Sequence, residues 1–179
     1  MRTPARIAKH PIHPMIVPIP IGLWLFSLAC DLVHRFGGTS PNWEIVAFYA
    51  MVGGIIGALI AAIPGLVDVF SLPDSVKPIG FAHMGINLAV VVLYAVNAWM
   101  RHSGGVSNGL ILLSVISVLL LGVSGWLGGE MVYARGIAVE PGADAAYADR
   151  NSVRYSGPER RVAPLSRNYF GPERRTAAQ

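Results

Sequence analysis

The segment that decides the fold runs from Met15 to Phe36 and reads MIVPIPIGLWLFSLACDLVHRF. It is almost entirely apolar and long enough to cross the hydrocarbon core of a bilayer, which takes about 20 helical residues. Pro18 and Pro20 lie in its first turns, where backbone N–H groups have no helical partner and proline costs little. Three further segments of the same apolar character are predicted to span the membrane, at residues 43–70, 79–100 and 109–133.

The loops between these segments are short, so neighbouring helices are expected to be antiparallel. The predicted fold is an all-α integral membrane protein, a four-helix up-down bundle within residues 15–139. Residues 140–179 are predicted to form a disordered basic tail, because they contain too few aliphatic side chains to bury a core. This tail repeats one motif, YSGPERR at 155–161 and YFGPERR at 169–175.

The composition supports the membrane assignment. Of the 179 residues, 53% are hydrophobic and only 13% are charged, with a mean hydropathy of +0.51. A typical soluble domain is about 25% charged. Cys30 is the single cysteine, which excludes an intrachain disulfide and a cysteine-based zinc or iron–sulfur site. No phosphate-binding loop or Ser-His-Asp signature is found, so no catalytic residues are predicted and an enzyme is the less favoured class.

The distribution of basic residues predicts the orientation. An even number of spans places both termini on one side, together with twelve of the fourteen Lys and Arg residues. Only Arg35 and Arg101 lie on the other side. Cytoplasmic segments carry the excess of positive charge, so both termini, including residues 1–14, are predicted to be cytoplasmic. The arginine-rich tail is expected to be attracted to anionic lipid, at about 1 kcal/mol per basic residue near the surface.

In this topology, polar residues from all four helices return to the cytoplasmic side of the bilayer. Ionisable groups in lipid usually face the bundle interior, so these residues are expected to share a polar pocket. The residues at this level are His10, His13, Asp68, His83, Asn87, Trp126 and Glu130.

Three chemical interpretations of this pocket are open. The first is a haem b with His13 and His83 as axial ligands and His10, Asn87 and Trp126 beside it, because helices one and three lie diagonally in such a bundle. The second is a transition metal ion, a mixed histidine–carboxylate site whose candidate ligands are His10, His13, Asp68, His83 and Glu130. The third is a proton or ion path through the carboxylates. Equally, the same groups could only fasten the helices together, as in a structural or accessory subunit.

A smaller polar set lies on the opposite side. These groups are near the interface, where charged side chains extend to water, so a structural role is expected for them. A second haem between His34 and His102 is the minor alternative. The members of the set are Asp31, His34, Arg35, Glu44 and His102.

Two motifs make the chain resemble a known bacterial family, a four-helix membrane protein catalogued as domain of unknown function 2231. They are HPIHPM at 10–15, followed by PIG at 20–22, and GWLGGEMVY at 125–133, with His83 between them. The resemblance covers roughly residues 9–139. It implies the bacterial inner membrane and, since such domains occur beside Rieske-type proteins, redox protein partners and electron transfer. Ala134 stands where other members tend to have histidine, so a ligand is absent there.

Overall fold

The computed structural model describes residues 3–38 and 40–139. Four long apolar helices form the bundle, each able by length and composition to cross a membrane, which confirms the predicted fold class. The described part of the chain starts with a hairpin of two short strands, β1 and β2, and a short helix, α1. The long helices α2 to α5 follow, and a single π-helical turn comes after α5. The bounds are β1 Arg6–Ile7, β2 His10–Pro11, α1 Ile12–Ile16, α2 Pro18–Phe36, α3 Pro41–Phe70, α4 Lys77–Gly104, α5 Asn108–Gly129 and the π turn Glu130–Ala134.

The helices pack in a ring in sequence order, and α5 returns to contact α2. Short connections allow this up-down arrangement. We call the end of the bundle near the start of α2 the proximal end and the opposite end the distal end. The predicted tail and its repeated motif, at 140–179, lie outside the described residues.

The core is centred on two aromatic rings from diagonal helices. Trp24 of α2 and Tyr94 of α4 stack with centroids 4.5 Å apart and planes 9° apart. The indole of Trp24 donates to the carbonyl of Met51 at 3.2 Å, and all three residues are buried. Gly54 makes this packing possible, since a Cβ there would lie 2.4 Å from the indole nitrogen.

The outside of the bundle is apolar and carries large aromatic residues near both ends. Trp99, near the distal end, is 78% exposed, and Tyr133, near the proximal end, is 91% exposed. Trp and Tyr are enriched where membrane-spanning helices meet the interface. The same surface would be unusual in water, where contiguous apolar patches are small.

The structure corrects the local prediction around His13. The predicted first span begins at Met15, which leaves His13 in the segment before it. Instead the β1–β2 hairpin ends at Pro11 and α1 begins at Ile12, so His13 is helical. Pro14 is tolerated because it lies in the first turn of α1, where its missing N–H has no helical acceptor.

Candidate functional site

The proximal end contains two histidine side chains that face each other across the bundle. The imidazoles of His13 and His83 have centroids 6.3 Å apart, with planes at 87°. His13 comes from α1 and His83 from the second turn of α4. Both side chains are partly buried. The predicted diagonal pair is therefore brought together.

The backbone of α3 holds the imidazole of His13. Its Nδ1 lies 2.8 Å from the carbonyl oxygen of Ala61. This carbonyl belongs to the turn before Pro64, a proline inside α3 that removes one helical hydrogen bond. Gly65 provides the space for the ring, because a Cβ there would lie 2.8 Å from Nδ1 of His13.

The backbone of α5 holds the imidazole of His83 in the same manner. Its Nδ1 lies 2.8 Å from the carbonyl oxygen of Ser124 and 2.9 Å from the hydroxyl of that residue. Gly128 again leaves room, since a Cβ there would lie 3.3 Å from the ring. Asn87, one turn along α4, donates from Nδ2 to the Ser124 hydroxyl at 2.7 Å and lies 3.1 Å from Nε2 of His83.

These contacts determine the tautomer of both histidines. A carbonyl oxygen only accepts hydrogen bonds, so Nδ1 of each neutral imidazole carries the proton and Nε2 carries the lone pair. Nε2 of His83 accepts from Asn87. Among the described residues, Nε2 of His13 has no hydrogen-bond partner. A histidine that donates from one nitrogen to a backbone carbonyl is oriented as metal-bound histidines are.

The carboxylates predicted beside the histidines are used elsewhere. Asp68 accepts the backbone N–H of Ala5 at 2.9 Å and so anchors the N-terminal hairpin to α3. Glu130 pairs with Arg135 at 3.4 Å. Within residues 3–38 and 40–139, no group of three or more His, Cys, Asp or Glu side chains could hold a metal ion. The five-ligand metal set is therefore not assembled there.

Two further residues predicted to line the pocket are exposed instead. His10 is exposed in β2. Trp126 is 79% exposed on the outside of α5, on the apolar surface of the bundle. Of the predicted cofactor residues, the structure thus brings together His13, His83 and Asn87.

The distal end contains an ion pair that the sequence analysis missed. Asp31 and Arg101, 0% and 6% exposed, form two hydrogen bonds of 2.6 Å each. Arg101 also donates to Asn97 at 2.8 Å, and Asn97 donates to the hydroxyl of Ser114 at 2.9 Å. Asp31 was expected to extend to water, which is wrong. The sequence did contain a signal for this pair, because Asp31 lies within an apolar span, where an acidic side chain needs a basic partner.

The remaining distal residues form separate contacts. His34 lies 2.9 Å from the Glu44 carboxylate and 3.2 Å from the carbonyl oxygen of Ser40. The ring of His102 stacks on Phe48, with centroids 6.4 Å apart. His34 and His102 therefore contact other side chains, whereas the rings of His13 and His83 lie next to each other.

The remaining basic residue of the predicted distal set, Arg35, is exposed and donates to Asn108 at 3.0 Å. This contact joins the end of α2 to the start of α5. It lies at the surface, whereas the Asp31–Arg101 pair lies inside the bundle.

Comparison with known proteins identifies the family. The family model described as "Predicted membrane protein (DUF2231)" matches residues 9–141, which is most of the chain. The chain belongs to this family, and the resemblance seen in its histidine and glycine motifs is confirmed. No curated protein and no solved structure matches the chain.

Proposed function

We propose that this DUF2231 protein is an electron-transfer component of the bacterial inner membrane that binds haem b at its proximal end. His13 and His83 are the residues that would hold its iron. The observation that carries the proposal is the geometry of this pair, two facing imidazoles that both present Nδ1 to a backbone carbonyl. Such anchoring leaves Nε2 to bind iron.

The separation of the rings supports a metal between them. Metal–imidazole bonds are about 2 Å long, so two imidazoles that held one metal would have centroids at most roughly 6 Å apart. The separation of His13 and His83 is 6.3 Å. Iron binding would replace the contact between Nε2 of His83 and the amide of Asn87.

Within the described part of the chain, no carboxylate joins His13 and His83 in a group that could hold a metal ion, and this favours haem over a free ion. A protein-bound ion typically needs three or four protein ligands. A porphyrin already supplies four nitrogen ligands, so two histidines complete the coordination of its iron. Haem carries single electrons when bound, while the chain's own residues orient the two imidazoles and exclude water with the apolar core beside them.

Visible spectroscopy tests this proposal. The full-length protein is expressed with ample haem and iron, purified in mild detergent, and its spectrum recorded in oxidised and dithionite-reduced forms. We expect a Soret band that is lost in His13→Ala and His83→Ala and retained in His102→Ala, the matched control at the distal end. Circular dichroism establishes that each variant is folded. A colourless, folded wild-type protein without bound metal would overturn the proposal and leave the histidines as helix clamps.

The proposed orientation places both termini and the haem near the cytoplasm, on the basis of the basic residues. A soluble redox protein on that side is the proposed electron partner, and anionic lipid the proposed partner of the tail. Alkaline phosphatase is active only outside the cytoplasm, so a fusion after Gln179 should be inactive and one after Ser107 active. The reverse result would invert the topology without affecting the ligand assignment.

A further inference from the structure

Asn87 lies beside His83 in the proximal site and faces it with its side-chain amide. The amide nitrogen Nδ2 lies 2.7 Å from the Ser124 hydroxyl, 2.9 Å from the backbone carbonyl oxygen of His83 and 3.1 Å from Nε2 of the His83 ring. We propose that Asn87 is a positioning residue that fixes the tautomer and orientation in which His83 binds iron, a role that rests on the proposed function of this histidine pair.

The backbone of α4 fixes which way the Asn87 amide faces. The oxygen and nitrogen of an amide occupy nearly equivalent positions, so their assignment follows from the hydrogen-bond partners. The carbonyl oxygen of His83 only accepts hydrogen bonds, and an amide oxygen 2.9 Å from it would be repelled. The amide nitrogen, which only donates, therefore occupies this position. Nε2 of His83 consequently faces a donor.

The ring of His83 is thus constrained at both of its nitrogens. The carbonyl oxygen of Ser124, 2.8 Å from Nδ1, requires a proton on Nδ1. A proton on Nε2 would place two donors against each other at 3.1 Å, because Asn87 donates there. In the described part of the chain, the ring of His13 is hydrogen-bonded at Nδ1 alone, by the carbonyl of Ala61. Asn87 therefore gives His83 a second constraint that His13 lacks.

Asn87 also acts on the other side of the ring, through Ser124. The Ser124 hydroxyl, 1% exposed, accepts from Asn87 and lies 2.9 Å from Nδ1 of His83. Without the Asn87 amide, this hydroxyl is free to donate to Nδ1, and Nε2 is free to carry the proton instead. Such a tautomer has no lone pair on Nε2 for iron. Asn87 disfavours it at both nitrogens.

Asn87 can release Nε2 to a metal without losing its own hydrogen bonds. Its amide carries two hydrogens for three acceptors. The two shorter contacts, to the Ser124 hydroxyl and to the His83 carbonyl, are independent of Nε2. An unpaired buried donor is costly, and here none is created. Asn87 therefore orients the ring while competing only weakly with iron.

Nitrogen NMR of the imidazoles tests this role in the full-length protein without haem. The protein carries isotopically labelled histidine and is purified in mild detergent, and the spectra report which ring nitrogen is protonated. We expect a single tautomer for His83 in the wild type. In Asn87→Leu, which keeps the branched shape but has no donor, the Nε2 resonance should shift toward that of a protonated nitrogen. A haem titration should then find binding about tenfold weaker, as is typical when a group that supports a metal ligand is removed.

Asn97→Leu is the matched control, because Asn97 also lies on α4 and donates to a serine of α5, at the distal end. It should leave the His83 resonances and haem binding unchanged. Asn87→Ala, which adds no apolar bulk, is measured in parallel, and circular dichroism establishes that each variant is folded. An unchanged Nε2 resonance in the folded Asn87 variants, an equal shift in Asn97→Leu, or haem binding as tight as in the wild type would overturn the proposal. A wild-type protein that binds no haem would instead overturn the haem proposal, while the spectra of the haem-free protein still decide what Asn87 does to the ring.

Discussion

The buried ion pair at the distal end makes the strongest prediction about stability. Asp31→Asn removes the negative charge and leaves the guanidinium of Arg101, 6% exposed, without a counterion. Removing one partner of a buried pair costs about 3–5 kcal/mol, because the remaining charge is neither solvated nor paired. Hydrogen bonds from Arg101 to Asn97 and Ser114 persist in the variant and offset part of this cost. We therefore expect a loss of about 3 kcal/mol in the free energy of unfolding.

The assay is reversible unfolding in mixed micelles, in which SDS is titrated against a mild detergent and helicity is followed by circular dichroism. Arg35→Met is the control, because Arg35 makes an exposed contact with Asn108 and its loss should cost at most about 0.5 kcal/mol. The double variant Asp31→Leu/Arg101→Met should be more stable than Asp31→Asn, since it removes both charges and fills the space with apolar atoms.

Two results would refute this reasoning. A loss of less than about 1 kcal/mol for Asp31→Asn would mean that water or lipid headgroups reach Arg101. The single variants Asp31→Leu and Arg101→Met complete the comparison. If the stability lost in the double variant equals the sum of the losses in these two, the charges are not coupled.

Three further variants test other parts of the structure. Gly65→Ala should displace the imidazole of His13 from its place against α3 and abolish the haem spectrum. Gly125→Ala is the control and should leave the spectrum unchanged, because a Cβ there meets nothing within 4 Å. Tyr94→Phe should stabilise the protein by about 1 kcal/mol in the same unfolding assay, because the buried hydroxyl has no hydrogen-bond partner among the described residues; destabilisation would indicate a bound water. The hydrogen bond from Lys77 lowers the pKa of Asp74, so the stability it contributes is present at neutral pH and is lost as the pH falls through the lowered pKa. In Lys77→Met, an NMR titration should find that pKa higher, and an unchanged value would contradict the contact.

The sequence was sufficient for the fold because bilayer thickness and hydropathy fix the helices almost independently of their packing. It was also sufficient to predict that His13 and His83 lie at the same depth, since the antiparallel topology returns them to one level on diagonal helices. It was insufficient for the direction of individual side chains. Trp126 lies at the predicted level but is 79% exposed on the outside of α5, and Glu130 lies in the π-helical turn, where it pairs with Arg135. Depth follows from counting residues along a helix, whereas rotation about the helix axis depends on the packing of all neighbours.

A substitution that separates the two roles of His83 decides between ligand and clamp. Both proximal histidines hold a backbone carbonyl with Nδ1, and the side-chain amide of asparagine can donate from nearly the same position. His83→Asn should therefore keep the contact with Ser124 and lower the free energy of unfolding by about 1 kcal/mol at most. It cannot replace Nε2 as a ligand, so the haem spectrum should be lost. A helix clamp needs only one donor, whereas a haem ligand needs the second nitrogen. A Soret band identical to the wild type would show that His83 acts through Nδ1 alone. A loss of stability comparable to that of Asp31→Asn would show that the asparagine amide does not replace the Nδ1 contact.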